Sequence, residues 1–115
     1  MMLRQFIDTA VQVQADVYGV EVLQLDGEAF AEYMRTNTLA AMVELSEFLQ
    51  ELPWKPWKDE GRPDEDAYRR AVVELADVLI FVFNLAAALG VTGDRLEQAI
   101  VDKINVNILR QVVRS

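Results

Sequence analysis

The chain has 115 residues with no cysteine and no histidine, and 19 acidic against 11 basic side chains give it a formal net charge of −8. This acidity disfavours binding to nucleic-acid polymers and to anionic membranes, because both would repel the chain. The absence of cysteine excludes disulfides, thiolate metal sites and a cysteine nucleophile.

Residues 1–115 are expected to form one domain, because the length suffices for a single hydrophobic core but not for two. Hydrophobic residues make up 52% of the chain and recur at helical spacing, which predicts an all-α fold. Residues 1–10 carry Arg4 and Asp8 within their only apolar stretch, so no signal peptide is expected. A chain without cysteine fits a reducing interior, and we expect a cytoplasmic protein.

The first predicted helix covers residues 3–18, where apolar side chains follow an amphipathic pattern. Residues 20–25 are β-branched and too few to anchor a sheet, so they are interpreted as a connector or an extended piece. A second helix is predicted from residue 26 or 27 to residue 52, because Pro53 ends it. The pattern leaves open a break near residues 36–38.

One face of this second helix carries two carboxylates among small and polar side chains. At about 100° per residue, Asn37, Ala40, Glu44 and Glu47 fall within about 80° of one another. The small alanine leaves room for an ion beside the acids. Most helical Glu pairs are only solvated, so this pair by itself does not decide between a metal site and a wet surface.

The segment after Pro53 contains two tryptophans and two lysines in five residues. One interpretation is an aromatic plug that closes the open end of a helical bundle, with its lysines extending into water. The other is a flap that offers an aromatic face to a base and ammonium groups to phosphates. The sequence does not decide between them. These residues are Trp54, Lys55, Pro56, Trp57 and Lys58.

The third predicted helix, Glu65–Leu89, is apolar on nearly every side, so it is expected to lie at the centre of its bundle. Its polar residues past the first turns, Glu74, Asp77 and Asn84, fall within about 80° of one another. They also argue against a membrane span, since a charged group near the bilayer centre costs about 3 kcal/mol.

Two helices that each carry a pair of acids would bring four carboxylates together: Glu44, Glu47, Glu74 and Asp77. Buried like charges need a cation among them or a buried basic partner for each. Arg69 and Arg70 lie too near the start of the third helix to serve both of its acids. The sequence therefore favours a hard divalent cation held by oxygen ligands, Mg²⁺ or Mn²⁺.

The fourth predicted helix covers residues 95–113, with Thr92 or Asp94 as its N-cap and Asp94 and Glu97 at capping-box spacing. It carries a stripe of hydrogen-bond donors within about 60° that suits phosphate oxygens. The alternative is a basic helix end that complements the helix dipole, which does not account for the amide in the stripe. We call this set the basic stripe: Lys103, Asn107 and Arg110.

Taken in order, Glu-x-x-Glu, the Trp-Lys-Pro-Trp-Lys loop, Glu-x-x-Asp and Lys-x-x-x-Asn-x-x-Arg resemble the all-α NTP pyrophosphatase superfamily, which includes MazG-like proteins and the dimeric dUTPases and dCTPases. The resemblance covers residues 37–110. It implies an antiparallel four-helix bundle-like module that is oligomeric. In the larger dimeric dUTPases further base-contacting residues precede the first acidic motif, and only Gln12 or Gln14 could stand for them here. The choice of base therefore stays open.

The resemblance also implies roles for individual residues. Magnesium ligands would be Glu44, Glu47, Glu74 and Asp77. The triphosphate would be held by Lys55 or Lys58 and by Lys103, Asn107 and Arg110. The sugar and base would be approached by Asn37, Trp54 or Trp57, and Asn84.

The hypothesis favoured by the sequence is a magnesium-dependent pyrophosphohydrolase that converts dUTP, dCTP or a noncanonical nucleotide to a monophosphate and pyrophosphate. Glu47 or Glu44 would orient or deprotonate the attacking water. The alternative is a noncatalytic helical oligomerisation module whose acids pair with basic residues of a partner chain. An iron-carboxylate bundle is disfavoured, because it usually needs Glu-x-x-His pairs. Because four helices are too few to cover an all-round apolar helix, we expect a homodimer or homotetramer.

Overall fold

The computed structural model describes residues 2–58 and 61–114, so the predicted domain 1–115 contains four residues outside this description. Within the described ranges the chain forms four α-helices and one short 3₁₀ helix and has no strand, which confirms the predicted all-α, bundle-like fold. The elements are α1 (Leu3–Asp16), the 3₁₀ helix (Val22–Gln24), α2 (Gly27–Gln50), α3 (Glu65–Leu89) and α4 (Gly93–Arg114).

The ends of α3 are set by local chemistry. The carboxylate of Asp64 accepts a hydrogen bond from the backbone N–H of Ala67 at 2.9 Å, which satisfies one of the free donors at the helix start. Gly90 ends the helix in the left-handed conformation, with φ of 82°, where a side chain would be strained. The predicted bounds of α3 are therefore confirmed.

Besides shifts of up to two residues at the ends of α1, α2 and α4, two details differ from the sequence predictions. Helix α2 continues through residues 36–38 without a break, because Asn37 is buried against α3 and this packing outweighs weak local helix propensity. At the start of α4 the Thr92 hydroxyl accepts from the Arg95 backbone N–H at 3.1 Å. Of the two predicted N-caps, Thr92 is therefore the one observed, and Asp94 lies inside the helix, so its capping box with Glu97 is wrong.

The buried core lies where α1, the 3₁₀ helix and the last turns of α3 meet. Ile7 and Val22 are 3% and 1% exposed, and they pack against three consecutive alanines of α3. Alanines allow the elements to approach closely, which is how so short a connector as Val22–Gln24 becomes part of the core. The three alanines are Ala86, Ala87 and Ala88.

Helix α3 is central, since it packs against α2, α1 and the 3₁₀ helix. Helix α4 packs against α1 and, among the described residues, has no contact with α2 or α3. The radius of gyration is 17.4 Å, whereas about 13 Å is expected of a compact chain of this length. The long helices α2 and α3 and the position of α4, which packs only on α1 among the described elements, both fit this extended shape.

Helix α3 is also long and apolar enough to cross a membrane, judged by length and composition alone. A single helix with these properties is weak evidence, because core helices of soluble proteins share them. In this structure the helix holds two half-buried carboxylates, Glu74 and Asp77, and the buried amide of Asn84. Only Asn84 is packed fully within the protein, and much of the apolar surface of α3 is exposed in the described chain.

Candidate metal and nucleotide site

Three carboxylates from α2 and α3 converge at the middle of the helix pair. Glu44 on α2 and Glu74 and Asp77 on α3 each offer one oxygen, and these oxygens lie within 4.8 Å of one another. All three residues are half-buried. We call them the acid cluster. The structure thus brings together three of the four acids that the sequence singled out.

The fourth acid, Glu47, is exposed and does not belong to the acid cluster. It lies one helical turn after Glu44 and is close enough for its negative charge to raise the pKa of Glu44. Glu47 therefore lies beside Glu44, at the solvent-facing edge of the cluster.

The electrostatics of the acid cluster are unfavourable without a cation. The pKa of Glu44 is raised from 4.5 to about 7, mainly by a hydrogen bond shared with Glu74 and further by burial and the charge of Glu47. The Oε2 atom of Glu74 is buried and has no hydrogen-bond partner among the described residues. A buried carboxylate oxygen with neither a donor nor a cation is destabilising, so this atom fits a site that binds a positive ligand.

The donor set fits magnesium or manganese. All three groups are carboxylates, which hard divalent cations prefer, and the chain has no cysteine or histidine to favour a softer metal. Mg²⁺ usually takes one or two carboxylates and completes its octahedron with water and substrate phosphates. The cluster is therefore suited to an ion that a phosphorylated ligand helps to hold.

A cleft of about 940 Å³ between α1, α2 and α3 adjoins the acid cluster, since Asp77 is one of its lining residues. Its walls are mainly apolar and include Phe6 and Phe83, whose rings stack with centroids 5.3 Å apart and 4° between their planes. Apolar walls with a few polar groups are typical of small-molecule sites. The polar residues of the cleft include Gln14, Tyr33, Asn37 and Asn84.

Hydrogen bonds hold these polar side chains in fixed positions. The Asn84 amide donates to Asn37 Oδ1 at 3.1 Å, and the Asn37 amide donates to the Tyr33 carbonyl at 2.9 Å. The Tyr33 hydroxyl donates to Gln14 Oε1 at 2.9 Å, and burial raises the pKa of Tyr33 so that it stays a donor. Both predicted asparagines therefore lie in one preorganised polar row.

Sequence reasoning missed most of the residues that line this cleft, among them Phe6, Tyr33 and Phe83. A signal for Tyr33 existed, since it precedes Asn37 by four residues and extends the polar face of α2 by one turn. Of the two glutamines that the resemblance left open, Gln14 lines the cleft, whereas Gln12 is exposed and bonds to Asp16. The stacked phenylalanines come from different helices, which no local pattern relates.

The Trp54–Trp57 segment lies outside the cleft that adjoins the acid cluster. Trp54 lines a second cleft of about 480 Å³ with Pro53, Pro63 and Tyr68, and it is absent from the lining of the first. Its ring meets that of Trp57 edge to face at 6.0 Å, and Lys55 Nζ lies 6.0 Å from the Trp57 ring centroid. Within one chain the structure does not bring these tryptophans together with the two asparagines.

The basic stripe on α4 is fully exposed, and its helix contacts neither α2 nor α3 in the described structure. The structure therefore does not bring the stripe to the acid cluster of the same chain. Lys58 is exposed and Lys55 half-buried, both in the loop that follows α2. The phosphate-binding roles of these residues stay predictions.

Comparison with known proteins gives one family. The family model described as dUTPase matches residues 2–114, which is nearly the whole chain. No curated protein and no solved structure matches the chain. The matched region includes both acid-bearing helices, the cleft and α4, so the family assignment and the site describe the same part of the molecule. The chain belongs to the dUTPase family.

Proposed function

We propose that this protein is a magnesium-dependent nucleoside triphosphate pyrophosphohydrolase of nucleotide-pool house-cleaning. Its substrate is dUTP, dCTP or a noncanonical deoxynucleotide, and water breaks the bond between the α-phosphate and the pyrophosphate portion. The observation that carries this proposal is the acid cluster with the unpartnered Glu74 Oε2, placed beside a cleft of nucleotide size. Membership of the dUTPase family supports the same chemistry.

The acid cluster would hold the metal, with Mn²⁺ as a possible substitute for Mg²⁺. Bound metal would neutralise triphosphate charge and make water more acidic. Glu47, which is exposed beside Glu44, would orient the attacking water and accept its proton, and Glu44 would be the alternative base. Glu44, Glu74 and Asp77 would be metal ligands, and Glu47 would join them when substrate is bound.

The cleft would take the nucleoside. Its stacked phenylalanines and other apolar walls suit the faces of a planar base, and the ordered amides of Asn37 and Asn84 suit the polar edges of a base or sugar. Asp77 lies between this cleft and the other acids, so a nucleoside in the cleft would direct its phosphates toward the metal. Trp54 or Trp57 would take part only after its loop moves or from another chain.

Lys103, Asn107 and Arg110, with Lys55 or Lys58, would bind phosphate oxygens and stabilise charge on the departing pyrophosphate. The net charge of −8 makes such a local basic device necessary for an anionic substrate. We further propose that the protein acts in the cytoplasm, as a homodimer or homotetramer, on free nucleotides rather than on nucleic acid or membranes.

The direct test is pyrophosphate release from a panel of canonical and noncanonical nucleoside triphosphates with Mg²⁺ and with Mn²⁺. We expect hydrolysis of at least one deoxynucleotide, to a monophosphate and pyrophosphate in equal amounts. No release from any nucleotide with either metal would remove the proposed activity.

The exposed apolar side chains of α3 and α4 also favour a second candidate, a noncatalytic oligomerisation module. Metal titration separates the two. A pyrophosphohydrolase gains thermal stability with Mg²⁺, because a ligand that binds only the folded state raises Tm. A pure assembly module shows no Mg²⁺-dependent rise in Tm.

A further inference from the structure

Polar side chains join α2 to α3 at three levels along the two helices. At the first level the Asn84 amide donates to Asn37 Oδ1 at 3.1 Å, and the acid cluster forms the second level. At the third level Arg70 Nε donates to Glu51 Oε2 at 2.7 Å, where Glu51 is the residue that ends α2. We call the first pair the amide pair and the third the ion pair.

The three levels are evenly spaced. Successive levels are seven residues apart on each helix, which is about two turns and a rise of about 10.5 Å. The two helices run in opposite directions, so the residues meet in reversed order. The acid cluster therefore lies midway between the amide pair and the ion pair. The residues at this spacing are Asn37, Glu44 and Glu51 on α2, and Asn84, Asp77 and Arg70 on α3.

Apolar packing differs between the two ends of this arrangement. Asn37 and Asn84 are each 6% exposed, and the alanines of the buried core follow Asn84 within four residues. At the other end Ala71 is the one buried residue among residues 65–77 of α3. A cleft of about 480 Å³ opens there between the end of α2 and the start of α3, and it is lined in part by Phe48, Leu52, Tyr68, Val72 and Leu75. The ion pair therefore joins the helices where packing holds them least.

Repulsion within the acid cluster tends to separate α2 from α3. The amide pair and the core oppose this separation at one end, and the ion pair opposes it at the other. If the helices part at the ion pair while the amide pair stays closed, the acids move apart by about half as much, since they lie midway. A metal site requires its ligands to be placed within about 0.5 Å. A small opening at the ion pair is therefore enough to impair the cluster.

The two neighbouring arginines of α3 make different contacts. Arg70 binds a carboxylate of α2 through a short charge-assisted hydrogen bond, which fixes both distance and direction. Arg69 pairs with Glu65 of its own helix at 3.3 Å, and both of these side chains are 71% exposed. The Arg69 pair connects nothing across the two helices. The chain thus offers a matched control at the adjacent position.

We propose that Arg70 and Glu51 are positioning residues for the metal site. Their ion pair fixes the end of α2 on α3 and thereby holds the acid cluster at the spacing that a divalent cation needs. Both act through Glu44, Glu74 and Asp77 and do not touch the substrate. The inference rests on the proposed function for the role of the metal and on the three levels for the coupling.

The first test measures Mn²⁺ binding without nucleotide, from the electron paramagnetic resonance signal of the free ion. Arg70→Ala is expected to weaken Mn²⁺ binding about fivefold, the upper range for one partly exposed ion pair. Loss of a positive charge by itself would strengthen cation binding, so weaker binding reports on geometry. Arg69→Ala should not weaken it. Unchanged or tighter binding in Arg70→Ala, or equal losses in the two variants, overturns the proposal.

A double-mutant cycle then tests whether Arg70 acts through Glu51. Glu51→Ala should weaken Mn²⁺ binding about as much as Arg70→Ala does, because either change breaks the same pair. The double variant should bind Mn²⁺ no more weakly than either single variant, within about twofold. Losses that multiply in the double variant overturn the pairing. Both residues lie at exposed or half-exposed positions, where substitution by alanine leaves the fold intact.

Steady-state kinetics separate positioning from a direct contact with phosphate. With Arg70→Ala, half-maximal turnover should need about five times more Mg²⁺ than in wild type. At saturating Mg²⁺ the KM for the nucleotide should equal that of wild type, because Arg70 does not bind the substrate. A KM that stays raised at every Mg²⁺ concentration would identify Arg70 as a phosphate ligand and overturn the positioning role.

These tests keep the two proposals apart. If the wild-type protein binds Mn²⁺ but hydrolyses no nucleotide, the enzymatic function fails, and the Mn²⁺ titrations alone decide the positioning role. If the protein is active while Arg70→Ala binds Mn²⁺ as tightly as wild type, the function stands and the positioning role is lost. A wild-type protein that binds no Mn²⁺ overturns both.

Discussion

The α2–α3 pair and α4 differ in how much of their chemistry one chain completes. On α2 and α3, three carboxylates meet within 4.8 Å, and a row of hydrogen-bonded side chains lines the adjoining cleft. On α4, the basic stripe lies on an exposed helix that contacts neither of them in the described structure. The proposed metal and nucleoside sites are thus nearly complete in a single chain, whereas the proposed phosphate site is not.

The contrast between α2–α3 and α4 shows that clustered acids and phosphate-binding cations need different structural support. Acids that repel one another must be held by packing, because only a rigid scaffold keeps them together before a cation arrives. Cations that bind a mobile triphosphate need no such scaffold in the free state. They can be carried by an exposed helix such as α4.

Among substitutions that test the contrast between the acid cluster and α4, Glu74→Gln is expected to have the largest effect on activity. Removing a metal-ligand charge should lower kcat/KM on the order of 1000-fold, measured as pyrophosphate release. It should also abolish the Mg²⁺-dependent rise in Tm and raise the Tm of the metal-free protein, because it relieves repulsion in the acid cluster. Glu21→Gln, at an exposed position outside the cluster, is the control and should change neither quantity. An unchanged metal response in Glu74→Gln would contradict the metal site.

The next effect concerns α4 alone. Arg110→Ala should raise KM for the triphosphate about 10- to 100-fold, because a charge-assisted bond to phosphate contributes roughly 1.5–3 kcal/mol. The Mg²⁺-dependent rise in Tm should stay as in wild type, since metal binding depends on α2 and α3. Arg95→Ala removes a cation from the same helix outside the basic stripe and should leave KM unchanged. Equal effects of the two substitutions would show that only the net charge of α4 matters.

A smaller effect is expected within the cleft. Asn84→Leu leaves Asn37 Oδ1 buried without its donor and should destabilise the fold by about 1–3 kcal/mol, measured by urea unfolding. The double variant Asn37→Leu/Asn84→Leu should lose less than the sum of the single variants, because no partner is then left unpaired. Asn105→Leu, on the exposed part of α4, is the surface control. Additive losses would mean that the two asparagines are not coupled.

Much of the fold was predictable because its signals are local. The cap Asp64 and the terminal Gly90 mark the ends of α3, and a spacing of three residues places Glu74 and Asp77 on one face. The meeting of acids from two helices was also predictable, because each pair lies in an apolar segment that packs inside the protein. Buried acids from two packed helices then need a common cation. Glu47 shows the limit, because a rotation of about 60° from Glu44 on the helical wheel leaves it exposed.

The rest depends on relations between distant residues. Whether Trp54 lies near Asn84 is decided by the path of the segment between α2 and α3, and no periodicity describes that path. The stack of Phe6 on Phe83 joins two helices that are far apart in sequence. The isolation of α4 is likewise invisible in its sequence, since an apolar helix face does not specify which chain covers it.

The smallest expected effect is a pH dependence that belongs to the acid cluster and not to α4. In the metal-free fold the pKa of Glu44 is raised from 4.5 to about 7, mainly by the hydrogen bond with Glu74. A group whose folded-state pKa is raised contributes stability that is complete below about pH 4.5 and is lost as the pH rises through about 7. The glutamine of Glu44→Gln does not titrate, so the stability of this variant does not fall with pH for that reason.

With a chelator present, the Tm of Glu44→Gln minus that of wild type should therefore increase between pH 4.5 and pH 7. Glu21→Gln should show no such trend across the same range. Added Mg²⁺ should reverse the order at pH 7, because the deprotonated cluster of the wild-type protein binds the ion and the variant binds it less well. A difference in Tm that stays constant with pH would mean that Glu44 does not share a proton with Glu74. The acids of α2 and α3 would then titrate independently. The α2–α3 pair would differ from α4 only in its packing and not in the coupling of its charged groups.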